Sequence, residues 1–174
     1  MSGARFEKPH AALVRSYREL VREFTARGED LIPFPLSFAN DDFDAFLAQL
    51  AACERGEGLP EGFVPHTTFW LVDGAGEVVG VSNLRHRLTD NLRVEGGHIG
   101  YGVRPAARRR GHATELLRAT LGAARAIGIP EALVTCAEGN AGSVATILRC
   151  GGRLQSEDFV PRRCEVVQRY LIAT

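Results

Sequence analysis

Val103-Arg104-Pro105-Ala106-Ala107-Arg108-Arg109-Arg110-Gly111-His112-Ala113 is the stretch on which the fold turns. Upstream of it, roughly Gly97 to Val103 reads as a strand, stopped at Arg104-Pro105 because proline cannot donate to a sheet ladder. From Gly111 onward the apolar period changes. Ala113, Leu116, Leu117, Thr120, Leu121, Ala124 and Ile127 lie along a single helical stripe, closed by Gly128 and Pro130. A strand therefore passes into a helix across a basic, glycine-containing loop. The first turn of a helix has N–H groups without intrahelical acceptors and carries about half a positive charge. An anion docked there gains hydrogen bonds as well as field. Gly111 and Ala113 keep bulk away from such a site, while Arg108, Arg109 and Arg110 add guanidinium groups suited to phosphate oxygens. On these features alone, a diphosphate cradle and a solvated basic loop ahead of a helix both remain open.

Outward from this junction, the remaining elements follow from periodicity and punctuation. Ala11 to Ala26 places Leu13, Tyr17, Leu20, Val21 and Phe24 at helical spacing, and a second helix is expected to begin near Asn40 or Asp41 with Phe43, Phe46, Leu47 and Leu50 on its apolar face. Thr67 to Val72 and Val78 to Val81, separated by Asp73-Gly74-Ala75-Gly76, read as a β-hairpin. Leu133 to Cys136 reads as a buried strand, Asn140 as the cap of a helix ended by Gly151-Gly152, and Glu165 to Ile172 as a last strand. The expected order is helix, helix, three antiparallel-type strands, helix, strand, helix, then two strands.

The totals narrow the function classes. A chain of 174 residues with 45% hydrophobic content suits a single compact domain, and acidic and basic residues cancel at 21 each. Such a balance gives no reason to expect nucleic acid or an anionic membrane as the main partner, although Arg104 with Arg108, Arg109 and Arg110 leaves a nucleic-acid patch as a competing reading; phosphate chemistry must arise from local clustering. Lys8 is the only lysine. Cys53, Cys136, Cys150 and Cys164 form no Cys-x-x-Cys pair and read as reduced thiols, which argues against a metal site. No signal-like core opens the chain and no apolar run approaches the ~18 residues of a membrane helix, so a cytoplasmic protein is expected.

At the strand-to-helix junction the chain resembles the GNAT superfamily of acyl-CoA-dependent N-acetyltransferases, whose signature Arg/Gln-x-x-Gly-x-Gly/Ala is filled by Arg108, Gly111 and Ala113. The likeness extends from the hairpin through Ile99-Gly100-Tyr101-Gly102-Val103-Arg104-Pro105 to the helix that runs from Asn140 to Gly151. The resemblance implies an α/β (α+β) fold with a mixed, mostly antiparallel central sheet, helices on both faces, and a splay between two neighbouring strands. It implies acetyl-CoA as co-substrate and no metal, with a cofactor site centred on residues 99–150 and the acceptor side drawn from residues 10–95 of one N-acetyltransferase domain. The pyrophosphate would rest on the loop of Arg108, Arg109, Arg110, Gly111, His112 and Ala113. The pantetheine arm would pair with the backbone of Tyr101, Gly102 and Val103, and Asn140 and Ser143 would lie near it. For Asn140 a plain N-cap and a ligand contact both stay open.

Direct transfer in a ternary complex requires loss of a proton, because an alkylamine has a pKa near ~10. By resemblance, a histidine or carboxylate on the approach strand takes it, and His98 and Glu95 are the candidates. Their odd separation puts them on opposite strand faces unless Gly96-Gly97 forms a bulge. Many members place a tyrosine on the helix after the asparagine to protonate the departing sulfur; this chain has Ile147 there. A thiol of pKa ~8.5 can still leave as thiolate at a cost of roughly 2 kcal/mol, and Ser143, Tyr101, Tyr170 or water are the remaining helpers.

A CoA-binding sensor or structural protein without catalysis is the alternative, with Ile147 as its support. A nucleotide triphosphatase is disfavoured by the lack of a Gly-x-x-x-x-Gly-Lys-Ser/Thr run. Arg85, His86, Arg87 and Arg93 suit a carboxylate-bearing acceptor or are solvated charges; protein N-termini, lysine side chains, polyamines and small amines all remain open. A C-terminal strand would allow a homodimer.

Overall fold

The structure is a computed structural model that describes residues 3–174. Its strands are β1 (Arg5–Glu7), β2 (His66–Val72), β3 (Val78–Arg85), β4 (Ile99–Val103), β5 (Glu131–Ala137), β6 (Arg153–Val160) and β7 (Glu165–Ala173). Its α-helices are α1 (Val14–Ala26), α2 (Phe43–Arg55), α3 (Asp90–Val94), α4 (His112–Ala126) and α5 (Ala141–Arg149). A four-stranded sheet runs β1-β2-β3-β4 and a three-stranded sheet runs β5-β7-β6, with every pairing antiparallel.

Alternation along β2 and β3 sets the layers. Trp70, Val72, Val78 and Val81 pack with Tyr17, Leu20 and Phe24 of α1 and Phe43, Phe46 and Leu50 of α2. Leu71 and Val79 turn to the opposite face, where Leu116 of α4 and Val103 of β4 meet them. In the second sheet, Ala132, Val134, Tyr170 and Ile172 pack with Leu117, Leu121 and Ala124 of α4 and Ile147 of α5. The first sheet thus has helices on both faces, and the second has them on one. No helix among the described residues is long and apolar enough to cross a membrane.

The helix ends obey local chemistry. Asp42 caps α2 by accepting from the Ala45 N–H, and Gly56 ends it at φ 79°. Asn140 caps α5 by accepting from the Ser143 N–H at 3.0 Å. The hairpin turn is held by the Asp73 carboxylate, which accepts from the N–H groups of Ala75 and Glu77.

Several boundaries differ from the sequence reading. β4 begins at Ile99, because Gly96 and Gly97 stand at φ 100° and 58° and turn the chain rather than extend it. The pair is therefore not a bulge within a strand, and Glu95 lies just beyond α3, a short helix the apolar pattern did not reveal. α2 starts at Phe43, and the short β1 also escaped periodicity.

β4 and β5 meet at one end and then part. The His98 N–H donates to Leu133 O at 2.7 Å, and the Leu133 N–H donates to His98 Nδ1 at 2.9 Å. Gly97 makes this approach possible, since a methyl group there would lie 2.3 Å from Leu133 O. Beyond that rivet no ladder joins the strands among the described residues.

Candidate active site

The free edge of β4 can be read from its alternation. The Arg104 N–H donates to Val79 O, and the Arg85 N–H donates to His98 O, so even-numbered residues of β4 present their backbone groups to β3. Antiparallel alternation turns the N–H and C=O groups of Ile99, Tyr101 and Val103 toward the gap before β5. Gly102, expected to share that edge, instead pairs inward with Val81.

Past β4 the chain is clamped by α1. Arg104 donates to Glu23 at 2.7 Å, Glu77 at 3.1 Å and Glu19 at 3.4 Å, and the Ala106 N–H donates to Glu23 at 3.0 Å. Arg108 is likewise absorbed by the fold. Its guanidinium makes a fork-to-fork pair with Glu29 at 3.0 and 2.5 Å, donates to Val103 O at 3.1 Å, and lies 5.4 Å from the centroid of Phe24. The Arg108 hydrogen bond holds the Glu29 carboxyl below the usual carboxylate range. Arg108 therefore fixes the loop with its side chain, and its carbonyl contact occupies the Val103 oxygen on the open edge.

After Arg108 the backbone rises into left-handed conformations at Arg109 (φ 64°) and Gly111 (φ 89°). Among the described residues, the N–H groups of Arg109, Arg110, Gly111, His112 and Ala113 find no acceptor in the chain. Successive free amides in such a turn at the start of a fifteen-residue helix form an anion-binding concavity. A Cβ at Gly111 would meet nothing within 4 Å, so the space over the amides is open. Arg109 and Arg110 are exposed and in no ion pair among the described residues. His112 is largely buried, with Nδ1 3.8 Å from Glu115 and no hydrogen bond. The geometry fits a diphosphate held by main-chain amides with guanidinium groups at its margin.

Tyr101 and Ser143 approach each other across the splay. The Tyr101 hydroxyl is 2.9 Å from Ser143 Oγ, and burial pushes its pKa up to about 12. Cys136 of β5 lies beside this pair, and burial raises its thiol as well. Asn140 is exposed, with its carbonyl committed to the Ser143 N–H. Ile147 is fully buried in the core. Tyr170 is buried on β7 and donates to Gln168 at 2.7 Å.

His98 and Glu95 do not stand together as a proton-handling pair. Because His98 Nδ1 accepts from Leu133, the neutral ring carries its proton on Nε2. Burial, with Arg93 and then Arg85 adding repulsion, brings its pKa down to about 4. Glu95 Oε1 pairs with Arg162 at 2.5 Å, and Oε2 is buried without a partner. His98 borders a cleft of about 690 Å³, lined also by Arg93, Leu133, Arg169 and Leu171 on the face of the second sheet away from α4 and α5.

The opposite face of β4 carries a feature the sequence reading did not assign. A methyl group at Gly102 would sit 2.1 Å from Ile32 O, and one at Gly100 would sit 3.4 Å from Pro33 Cβ. The segment between α1 and α2 thus lies directly on the strand. Alternate glycines in Gly100-Tyr101-Gly102 were the available signal of close backbone approach.

A strand edge left open beside a helix-start amide cradle is the arrangement of a known class. The family model described as an acetyltransferase (GNAT) domain matches residues 7–153, and the chain belongs to that family. Solved structures share the fold at low identity. Ribosomal L7/L12 alpha-N-protein acetyltransferase RimL, in complex with coenzyme A, aligns with a TM-score of 0.70 and 14% identity over 98% of this chain and 93% of that one. Ribosomal-protein-S5-alanine acetyltransferase from Vibrio fischeri gives 0.66 and 14% over 99% and 92%. Dodecameric spermidine N-acetyltransferase from Vibrio cholerae gives 0.63 and 13% over 98% and 93%. No curated protein matches the chain.

Proposed function

We propose that this chain is an acetyl-CoA-dependent N-acetyltransferase that brings acetyl-CoA and an amine together in a ternary complex. The observation that carries the reading is the run of free N–H groups from Arg109 to Ala113, placed at the end of a β4 edge that has no partner strand. Acetyl-CoA supplies the activated acyl thioester. The cradle amides, with Arg109 and Arg110, hold its diphosphate, and the open edge offers the N–H and C=O of Tyr101 and the N–H of Val103 to an amide-bearing arm. Asn140 and Ser143 border the same gap.

The pKa values decide which proton roles are reasonable. A phenol at about 12 stands ~3.5 units above a thiol at ~8.5, so moving its proton to a thiolate is uphill by ~5 kcal/mol. Tyr101 therefore acts as a hydrogen-bond donor that lowers the energy of the departing thiolate while keeping its own proton. Ser143, within hydrogen-bond distance of the phenol, orients it. His98, the expected base, works against a pKa of about 4, which lies ~6 units below an alkylammonium at ~10. An α-amine, at ~8, is deprotonated often enough near neutrality to need only a water path. In this reading His98 orients the acceptor through its Nε2–H, and Glu95 holds the β6–β7 turn through Arg162.

Calorimetric titration with acetyl-CoA, with ATP and a short oligonucleotide as controls at moderate salt, tests the assignment. Stoichiometric binding of acetyl-CoA alone is expected; absence of binding overturns it. The second reading, a CoA-binding protein without turnover, is favoured by the apolar Ile147 and is separated by thiol release on addition of amines.

A further inference from the structure

Arg85 ends β3 with a half-buried positive charge and, among the described residues, no acidic partner. Its Nη1 donates to Gly96 O at 2.9 Å and Gly97 O at 3.0 Å, and its guanidinium carbon lies 5.6 Å from the centroid of Phe34. Among the described residues no carboxylate pairs with it, and burial alone pulls its pKa down to about 10. A guanidinium partly withdrawn from water without a counter-ion carries a desolvation cost that a bound anion would offset.

The neighbouring groups present donors as well. His66 is the cross-strand partner of Arg85, and its ring stands 4.9 Å from the same Phe34. Asn83 Nδ2 donates to His66 Nδ1 at 2.8 Å, which puts the imidazole proton on Nε2. That N–H is buried and has no acceptor, in a residue only 2% exposed. His98, two residues before Gly100, likewise carries its proton on Nε2. Arg93 stands exposed at the rim of the adjoining cleft.

Four carboxylates of the surrounding elements are in ion pairs, whereas Asp90 at the start of α3 is exposed and in none among the described residues. Glu95 pairs with Arg162, Glu131 with Arg153, Asp158 with Arg169, and Glu54 with Lys8. Among the described residues Arg85 and Arg93 are in no ion pair, and Arg93 lines the cleft that His98 borders. An unsatisfied buried donor and an unpaired guanidinium against one aromatic ring, with a second cation in the cleft beside His98, are complementary to a planar anion that accepts through both oxygens.

We infer that the amine acceptor carries a carboxylate, which docks on Arg85 and the His66 Nε2–H with Arg93 as the outer cation. This rests on the proposed acetyltransferase reading for the word acceptor, but the anion subsite stands on its own geometry. It disfavours polycations, which Arg85 and Arg93 would repel. Free amino carboxylates and peptides with an acidic residue near the N-terminus share the required chemistry.

The test uses the full chain saturated with CoA. Sodium acetate and sodium succinate are titrated against sodium chloride at matched ionic strength, with NMR detection of the Arg85 Nε–H and the imidazole signals. Saturable shifts at Arg85 and His66 are expected with the carboxylates only, together with a rise in the His98 pKa as Arg85 is neutralised. Arg85→Met should remove all of these, and Arg85→Lys, which keeps the charge, should retain weakened binding. Shifts no larger than those with chloride, or equal shifts in Arg85→Met, overturn the subsite. In the catalytic arm, amino carboxylates should exceed their amides in kcat/KM by ~10-fold, a preference lost in Arg85→Met. Peptides with and without an acidic second residue distinguish the two sources. Failure of acetyl-CoA itself to bind would instead overturn the functional reading and leave the anion result intact.

Discussion

The proposed cofactor cradle and the proposed acceptor side flank the same short strand, yet they are made of different material. The cradle is main chain: consecutive amides from Arg109 to Ala113, shaped by left-handed residues and helped by exposed arginines. The acceptor side is side chain, assembled from Phe34, His66, Arg85, Arg93 and His98 on separate elements. A backbone site tolerates many side chains provided the conformation is kept. A side-chain site depends on every element being held in register, and here that register is enforced by glycines on β4.

The comparison breaks most readily at Gly102. Gly102→Ala forces a methyl group to 2.1 Å from Ile32 O, a backbone atom that cannot rotate away. A loss of ~3 kcal/mol or more in urea unfolding is expected, against less than ~1 kcal/mol for Gly100→Ala, where the contact is ordinary. Equal effects would show that the Ile32-Pro33 segment is not seated on the strand.

Gly111 tests the other side. A glutamate there can rise into the open space over the amides, so Gly111→Glu should weaken acetyl-CoA binding by ~100-fold in calorimetry. The stability cost should be only ~1 kcal/mol, from a left-handed position losing its glycine.

The arginines of the loop sharpen the contrast further. Arg108→Ala removes the Glu29 fork and the Val103 contact, and should cost ~2 kcal/mol of stability. Arg110→Ala should leave stability unchanged and reduce acetyl-CoA affinity several-fold at low salt, less at high salt. If the two variants exchange phenotypes, Arg108 serves the ligand rather than the loop.

The last prediction concerns pH. His66 and His98 have folded pKa values lowered to about 4 by burial first and by neighbouring cations second. The unfolded chain takes up those protons from ~6.5, so it binds more protons than the native state between the two values. Stability should be fully present above pH ~6.5 and fall as the pH drops toward 4. A flat acid limb in that window would show that the imidazoles are solvated rather than packed around Arg85.

Much of the fold was legible because its signals are local. The change of period at Gly111, the cap at Asn140 and the hairpin at Asp73 each depend on residues within a turn of one another. The short β1 and α3 were not legible, since a few residues carry no usable period, and the boundary at Ile99 depended on the torsions of Gly96 and Gly97. Within the site, Gly111 and Ala113 marked the cradle. The reading of Arg108 as a phosphate ligand could not anticipate Glu29, which reaches it from the end of α1. Nor could His98 be judged from its strand position, because Leu133, distant in sequence, uses up its Nδ1.

The sequence by itself therefore determined where a run of free main-chain amides would form, since a strand end, glycine and helix start are consecutive in the chain. Tertiary structure alone decided which side chains work there. Packing spent Arg108 on the loop, buried His98 and His66 as neutral donors, and left Arg85 charged without a partner. Those outcomes depend on electrostatics and desolvation between residues that only folding brings together.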